Sequence, residues 1–368
     1  MPEGVPRTSR AVVQEGPRQL VMRELPIPEI DADSALLRIE ACGICGSDVE
    51  QYTGTIPVPL PVVPGHEPLG RIAAIGDRAA KRWGVDVGDR VAIEAPIPCG
   101  HCRACLAGRY QVCRGRGGMF AHGYVRLSHP PGLWGGYADY MYLDPGSVVH
   151  KVRPDVPASI AVMFNPLGAG FRWAVEIPDT GPGDTVVILG PGQRGLTSVI
   201  AARAAGADTI IVTGLTRDAP KLALAKEFGA DHVIDVETED ANRRIKDLTD
   251  GRGADVVIEV SSYATAPVAD ALHYVASGGR IVLAGVKGFK AVPEFVSDLI
   301  VVKEATIFGA FGVTADAYDA AIRLIESGRV PLARMHTHDF ALPDAERAIQ
   351  MLAGEIPGEA SIHSCLVP

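Results

Sequence analysis

At 368 residues the chain is too long for one ordinary core, and at roughly 150 residues per domain it is expected to form two. Its 47% hydrophobic and 21% charged residues describe a globular protein and exclude a disordered or fibrous one. A net charge of -9 argues against nucleic acid as partner and toward a small molecule. The N-terminus MPEGVPRTSRAVVQEG carries no apolar core of signal-peptide length, and no stretch approaches the roughly 20 apolar residues of a membrane span. The expectation is a cytoplasmic protein with no membrane partner.

From about residue 10 to 155, short apolar runs are broken by Pro and Gly. AVVQEG, LVMREL, ALLRIEACGIC, LGRIAAIG, GDRVAIE and YADYMYL predict strands and turns. From about Asp179 the rhythm becomes strand, Gly-rich turn and helix: DTVVILG, PGQRGLTSVIAARAAGA, TIIVTG, APKLALAKEFGA, HVIDV, ADVVIEV and GRIVLAGV. Strands alternating with helices predict parallel βαβ units. After residue 310, YDAAIRLIESGRV and LPDAERAIQMLAGEIP predict two helices, and SIHSCLV a last strand. No repeat or low-complexity tract interrupts the chain.

Six of the seven cysteines fall in two groups, 42/45 and 99/102/105/113, with Cys365 apart. Tightly spaced cysteines in a chain without a secretion signal ligate metal more often than they form disulfides. ACGICGSD and PGHEPLG together supply a thiolate at Cys45, an imidazole at His66 and a carboxylate at Glu67. That mixed, incomplete shell leaves zinc a position for water or a substrate oxygen. In PCGHCRACLAGRYQVC, by contrast, Cys99, Cys102, Cys105 and Cys113 are spaced so that one loop wraps a tetrahedral ion. Four thiolates enclose Zn²⁺ fully and make the site structural. Free thiols or an iron–sulfur cluster are the alternatives, and one compact loop suits closed zinc better. His101 is surplus to that set and is expected to be an exposed loop residue.

The segment Gly190-Pro191-Gly192-Gln193-Arg194-Gly195 follows VVIL and opens a helix. The first glycine permits the tight turn, the second lets backbone approach a pyrophosphate, and the third lets helix pack on strand. The phosphates then meet a helix N-terminus. An NAD site usually carries Asp or Glu at the end of the next strand, where this chain has Gly214. Thr216 and Arg217 follow with a hydroxyl and a cation, which favours NADP over NAD, unless Arg217 is a solvated residue offset by Asp218. Arg194 is a further candidate phosphate contact.

In their order and separations, GICGSD, GHE, the four-cysteine lobe and the Gly-rich turn resemble the zinc-dependent medium-chain alcohol dehydrogenases. The likeness runs over essentially the whole chain and is closest in style to the sorbitol and threonine dehydrogenase branch. It implies an α/β protein: a GroES-like β-rich catalytic domain over 1–165, completed by 310–368, and a Rossmann doubly wound parallel-sheet domain over 166–309. The active site is expected in the cleft between them. The resemblance also implies a zinc-dependent, NAD(P)-linked alcohol dehydrogenase or carbonyl reductase, assembled as a homodimer or homotetramer. Cys45 rather than Cys42 is then the first ligand of the catalytic zinc, His66 the second, and Cys42 a buried or supporting thiol. Ser47 falls at the hydroxyl of the proton relay and Asp48 at the carboxylate that orients the ligating histidine. Glu50 departs from a histidine that some relatives place near this point. The third ligand, an acid or thiol in the family, corresponds to Asn165 in MFNPLGAGFRWAV, so Glu67 is the preferred third ligand and Asn165 the weaker candidate. The rival readings are a zinc-free enone or quinone reductase and a catalytically silent cofactor-binding protein. Tyr52, Phe120, His122, Trp134 and Phe171 are candidates for lining the substrate pocket, whose substrate the sequence does not name.

Overall fold

The computed structural model describes residues 4–368. Contacts divide the chain into two compact units: 1–165 with 325–327 and 336–368, and 166–324 with 328–335. The first unit starts with β1 (Thr8–Gly16), β2 (Gln19–Pro26), β3 (Ala35–Gly43), α1 (Gly46–Thr53), β4 (Pro68–Ile75), α2 (Asp77–Trp83) and β5 (Arg90–Ile93). The lobe helix α3 (Arg103–Leu106) follows, then β6 (Tyr140–Leu143), β7 (Val149–Lys151), α4 (Ala158–Ala161) and the start of α5 (Phe164–Phe171), which belongs to the second unit from Pro166 onward.

The second unit continues with β8 (Thr185–Leu189), α6 (Gln193–Ala204), β9 (Thr209–Gly214), α7 (Ala219–Glu227), β10 (His232–Asp235) and α8 (Ala241–Leu248). It goes on through β11 (Ala254–Glu259), α9 (Ala266–Tyr274), β12 (Val275–Leu283), α10 (Asp298–Lys303), β13 (Thr306–Gly309) and α11 (Ala315–Ser327). The chain then returns to the first unit with β14 (His336–Ala341), α12 (Ala345–Leu352) and β15 (His363–Val367).

The second unit's sheet runs β10-β9-β8-β11-β12-β13, and its paired strands are parallel. This is the doubly wound order, whose switch point lies between β8 and β11. β8 is buried at all five positions, as a central parallel strand covered on both faces must be. The first unit's larger sheet runs β14-β15-β3-β4-β5-β7, with β6 also on β3. Here β3 and β4 bury Leu37, Ile39 and Ile72 in one cluster with Val91, Ile93 and Met141. The α/β class expected from the sequence is therefore the class observed. One assignment is corrected: residues 310–324 and 328–335 pack with the second unit, not the first. The reason is close packing on α5, where a Cβ added at Gly168 would meet the Tyr318 ring at 2.9 Å and Val313 at 3.1 Å. Among the described residues, no helix is long and apolar enough to cross a membrane.

Of the candidates for a substrate pocket, Trp134, Phe120, Tyr52 and His122 have partners within the fold. Trp134 is 1% exposed and makes edge contacts with Phe120 and Tyr142, and its Nε1 donates to the His129 carbonyl. The Tyr52 hydroxyl donates to Glu346. His122 is fully buried with Nε2 at 3.1 Å from Ser147 Oγ, and burial pushes its pKa down to about 4. A histidine held neutral in the fold stabilises it above its ordinary pKa, and that stabilisation is lost as pH falls from there toward about 4. The loss for this group is on the order of 3 kcal/mol. In chemical denaturation between pH 7 and 4, His122→Gln should show a flatter decline in stability than the parent protein.

Candidate functional site

The end of β3 and the start of β4 pair in antiparallel register, with Cys42 opposite Pro68 and the Gly43 N–H donating to the Glu67 carbonyl at 3.1 Å. Cys45, just past β3, is thereby brought to His66 and Glu67, just before β4. All three are buried, and one donor atom from each lies within 4.8 Å of the other two. Only a glycine at 43 leaves room for this: a Cβ there would stand 2.4 Å from Glu67 Oε2.

Asp48, in the first turn of α1, ties the cluster together. Its Oδ2 accepts from the Cys45 N–H at 2.8 Å, while its Oδ1 lies 3.4 Å from His66 Nδ1. A carboxylate on Nδ1 orients the imidazole so that Nε2 faces Glu67 Oε1 at 3.9 Å. Ser47 is half-buried, with Oγ 3.2 Å from the same Nε2. Tyr124, which sequence reasoning missed, sets its ring 5.5 Å from His66. Nothing local in the sequence marks it, because the contact joins distant segments of the chain. Asn165 is buried at the start of α5, Glu50 is buried on α1, and Cys42 is fully buried, its thiol pushed up by that burial. Taking a carboxylate and a sulfur donor together out of water is costly unless a cation offsets them, and a thiolate–imidazole–carboxylate set fits zinc.

In the lobe, Cys102 Sγ lies 3.5 Å from Cys105 and 3.7 Å from Cys113, and Cys99 Sγ lies 3.9 Å from Cys105. The four form one cluster of donor atoms. Hydrogen bonds led by the Cys105 backbone draw the Cys102 thiol down to about 6, while burial pushes Cys105 up to about 12. Four such sulfurs cannot ionise together without a cation, and the set fits enclosed zinc. His101 is exposed and turns its Nδ1 to the Cys99 carbonyl.

In the second unit, Gly190 closes β8 at φ 106° and α6 begins at Gln193. A Cβ on Gly195 would stand 1.9 Å from the Gly190 carbonyl oxygen, whereas one on Gly192 would meet nothing within 4 Å. That open backbone beside a twelve-residue helix start fits a pyrophosphate. The Gln193 Nε2, at the same point, is buried with no hydrogen-bond partner among the described residues. The Arg194 guanidinium lies over the Trp173 ring at 5.6 Å. At the end of β9, Arg217 is exposed, but the Thr216 hydroxyl expected for a phosphate donates to Asp235 at 2.7 Å, and its N–H to Glu237 at 2.8 Å. The physical reason is register: Asp235 stands directly beside Gly214 in the β9–β10 ladder.

Residues 31–154 match the model of the alcohol dehydrogenase GroES-like domain and residues 195–327 that of the zinc-binding dehydrogenase domain. A protein of Mycobacterium tuberculosis named as a probable alcohol dehydrogenase is 47% identical over 98% of both chains. The chain belongs to the zinc-type medium-chain alcohol dehydrogenase family. An erythritol/L-threitol dehydrogenase of Mycolicibacterium smegmatis is 35% identical over the full length of both chains. A Sinorhizobium meliloti protein solved as a zinc-binding dehydrogenase bound to NADP superposes with a TM-score of 0.86, at 29% identity over 98% of this chain and 99% of that one. As a member of this family the chain is a zinc-dependent, NAD(P)-linked oxidoreductase of CH–OH groups.

The two cradle glycines are expected to behave differently in thermal unfolding. Gly195→Ala should lower stability by about 1–3 kcal/mol, because backbone must move to admit the methyl. Gly192→Ala should stay within about 0.5 kcal/mol of the parent.

Proposed function

We propose that the chain transfers hydride between an alcohol and NAD(P) with a catalytic zinc held by Cys45, His66 and Glu67. The observation that carries the reading is the convergence of these three buried donors beside Ser47. When bound, zinc supplies Lewis-acid polarisation of the substrate oxygen, and the nicotinamide takes or gives the hydride. Ser47 accepts the alcohol proton while passing its own onward, which a hydroxyl alone among these side chains does without a net change of charge. Tyr124, whose ring packs against the His66 that Ser47 also reaches, is proposed as the next group along that path. Asp48 holds both the Cys45 backbone and the His66 ring, so it positions two ligands at once. Cys99, Cys102, Cys105 and Cys113 hold a second, structural zinc that braces the lobe.

Glu67 is preferred to Asn165 as third ligand, since a carboxylate satisfies Zn²⁺ far better than an amide oxygen. The same donor set weighs against the zinc-free reductase and the silent protein. Clustered cysteines that serve as metal ligands suit a reducing, cytoplasmic setting. Exposed Val286, Phe289, Val301 and Val302, close to β12 and β13, support assembly as a homodimer or homotetramer.

In metal analysis, Glu67→Gln should weaken the catalytic zinc by more than roughly 100-fold, beyond what the loss of an outer partner costs, and abolish alcohol oxidation. Asn165→Ala should keep both; intact zinc in Glu67→Gln with loss in Asn165→Ala reverses the assignment. NADP is favoured over NAD, because Gly214 presents no carboxylate of its own and exposed Arg217 offers a cation. Compared by kcat/KM, NADP should be the better cofactor, and Arg217→Ala should lower that preference by about 10-fold or more, the scale of one charge-assisted hydrogen bond. A parent enzyme that prefers NAD refutes this and turns Asp235 and Glu237 into ribose-side groups.

A further inference from the structure

A third set of metal-type donors lies on the edge of the first unit's sheet, and the dehydrogenase reading does not use it. One donor atom from each of His336, Asp339 and Cys365 lies within 4.8 Å of the others. They come from β14, the edge strand, and its parallel neighbour β15. Residues three apart on a regular strand face opposite sides. A register shift between His336 and His338 inserts a residue and brings His336 and Asp339 to the same side, with Asp339 beside Cys365 and His336 beside His363.

The geometry is specific. His336 Nε2 lies 3.1 Å from Asp339 Oδ1, and the buried Cys365 thiol donates to that same oxygen at 3.0 Å. Behind the ring, His336 Nδ1 lies 3.0 Å from Nδ1 of the fully buried His363. With an ion bound and His336 donating from Nδ1 to His363, the Nε2 lone pair is left for the metal beside the carboxylate and the sulfur. This is how metal-binding imidazoles are held. The Asp339 side chain is 55% exposed, so the cluster opens to solvent.

We propose that His336, Asp339 and Cys365 bind a divalent transition-metal ion of the zinc class at a site separate from Cys45/His66/Glu67 and from the four-cysteine lobe. One imidazole nitrogen, one carboxylate oxygen and one thiolate make a borderline-soft set that selects Zn²⁺ or Co²⁺ over Mg²⁺ and Ca²⁺. Three protein ligands leave a fourth position to water. On binding, the Cys365 S–H bond breaks, its proton passes to solvent and the sulfur bonds the ion. Thiolate and carboxylate then balance the two positive charges. Without the ion, burial and Asp339 keep Cys365 a thiol.

The test adds Co²⁺ to the full-length, zinc-loaded protein and follows uptake by native mass spectrometry together with the thiolate-to-cobalt absorption band. The parent should take up one more equivalent than either His336→Asn or Cys365→Ser. The thiolate-to-cobalt band formed with that equivalent should vanish in Cys365→Ser, and His363→Gln should bind about 10–100-fold more weakly, as loss of an orienting partner does. Because each result is a difference between parent and variant, it stands whether or not the other two metal sites are as proposed. Equal uptake by the parent and both variants, or a band unaffected by Cys365→Ser, overturns the proposal. His336→Asn changes a half-buried edge residue and so separates loss of the site from loss of the fold.

Discussion

The register of β3 on β4 is the constraint on which the candidate site depends. Ala41 faces Leu69, Cys42 faces Pro68, and the Gly43 N–H reaches the Glu67 carbonyl. Continued past the strand ends, that register is what sets a thiol two residues beyond β3 against an imidazole two residues before β4. A slip of β3 by one residue would turn its side chains to the opposite faces and take Leu37 and Ile39 out of the cluster they share with Ile72. The donor geometry is therefore protected by the whole apolar face of the sheet, a far larger energy than any hydrogen bond within the site. Asp48 adds the fine adjustment, because one carboxylate bridges the backbone of one donor and the ring of another.

The second unit solves its problem with backbone rather than side chains. The cradle needs no charged residue: a turn at Gly190, a carbonyl that forbids a Cβ at Gly195, and the free face of a helix start suffice. Side chains matter where the ladder ends. The carboxylate that the β9 sequence lacks at Gly214 arrives from β10, since Asp235 is its register partner and grips Thr216. Cofactor choice thus becomes a balance between an exposed guanidinium and two carboxylates from a neighbouring strand.

What was legible in the sequence was contiguous. The lobe cysteines lie within one loop, the cradle within six residues, and the alternation of strand and helix needed only local periodicity. Cys45, His66 and Glu67 were legible because each sits in a short segment of characteristic composition. Contacts between distant segments were not. Tyr124 carries no local mark of its contact with His66, and Asp235 is seen only once β10 lies beside β9. Trp134 and Phe120 read as pocket residues by composition, yet they close a lobe core with Tyr142. Cys365 stood alone in the chain. A bulge in β14, invisible to a two-residue periodicity, gives it His336 and Asp339 as neighbours.

Gly43 joins these observations. On one side it pairs with Cys365 of β15; on the other its N–H goes to Glu67, whose carboxylate fills the space a side chain would take. The next residue, Ile44, donates to the Ser364 carbonyl at 3.0 Å, so the segment entering Cys45 hangs on β15 as well as on β4. Both of these pairings are antiparallel, so β3 is held by ladder hydrogen bonds on each edge. Cys365 and Cys45 are therefore tied to the same strand end through backbone alone. The sheet edge and the buried donor set share a single strand end, and the absence of a side chain at Gly43 is what lets both sit against it.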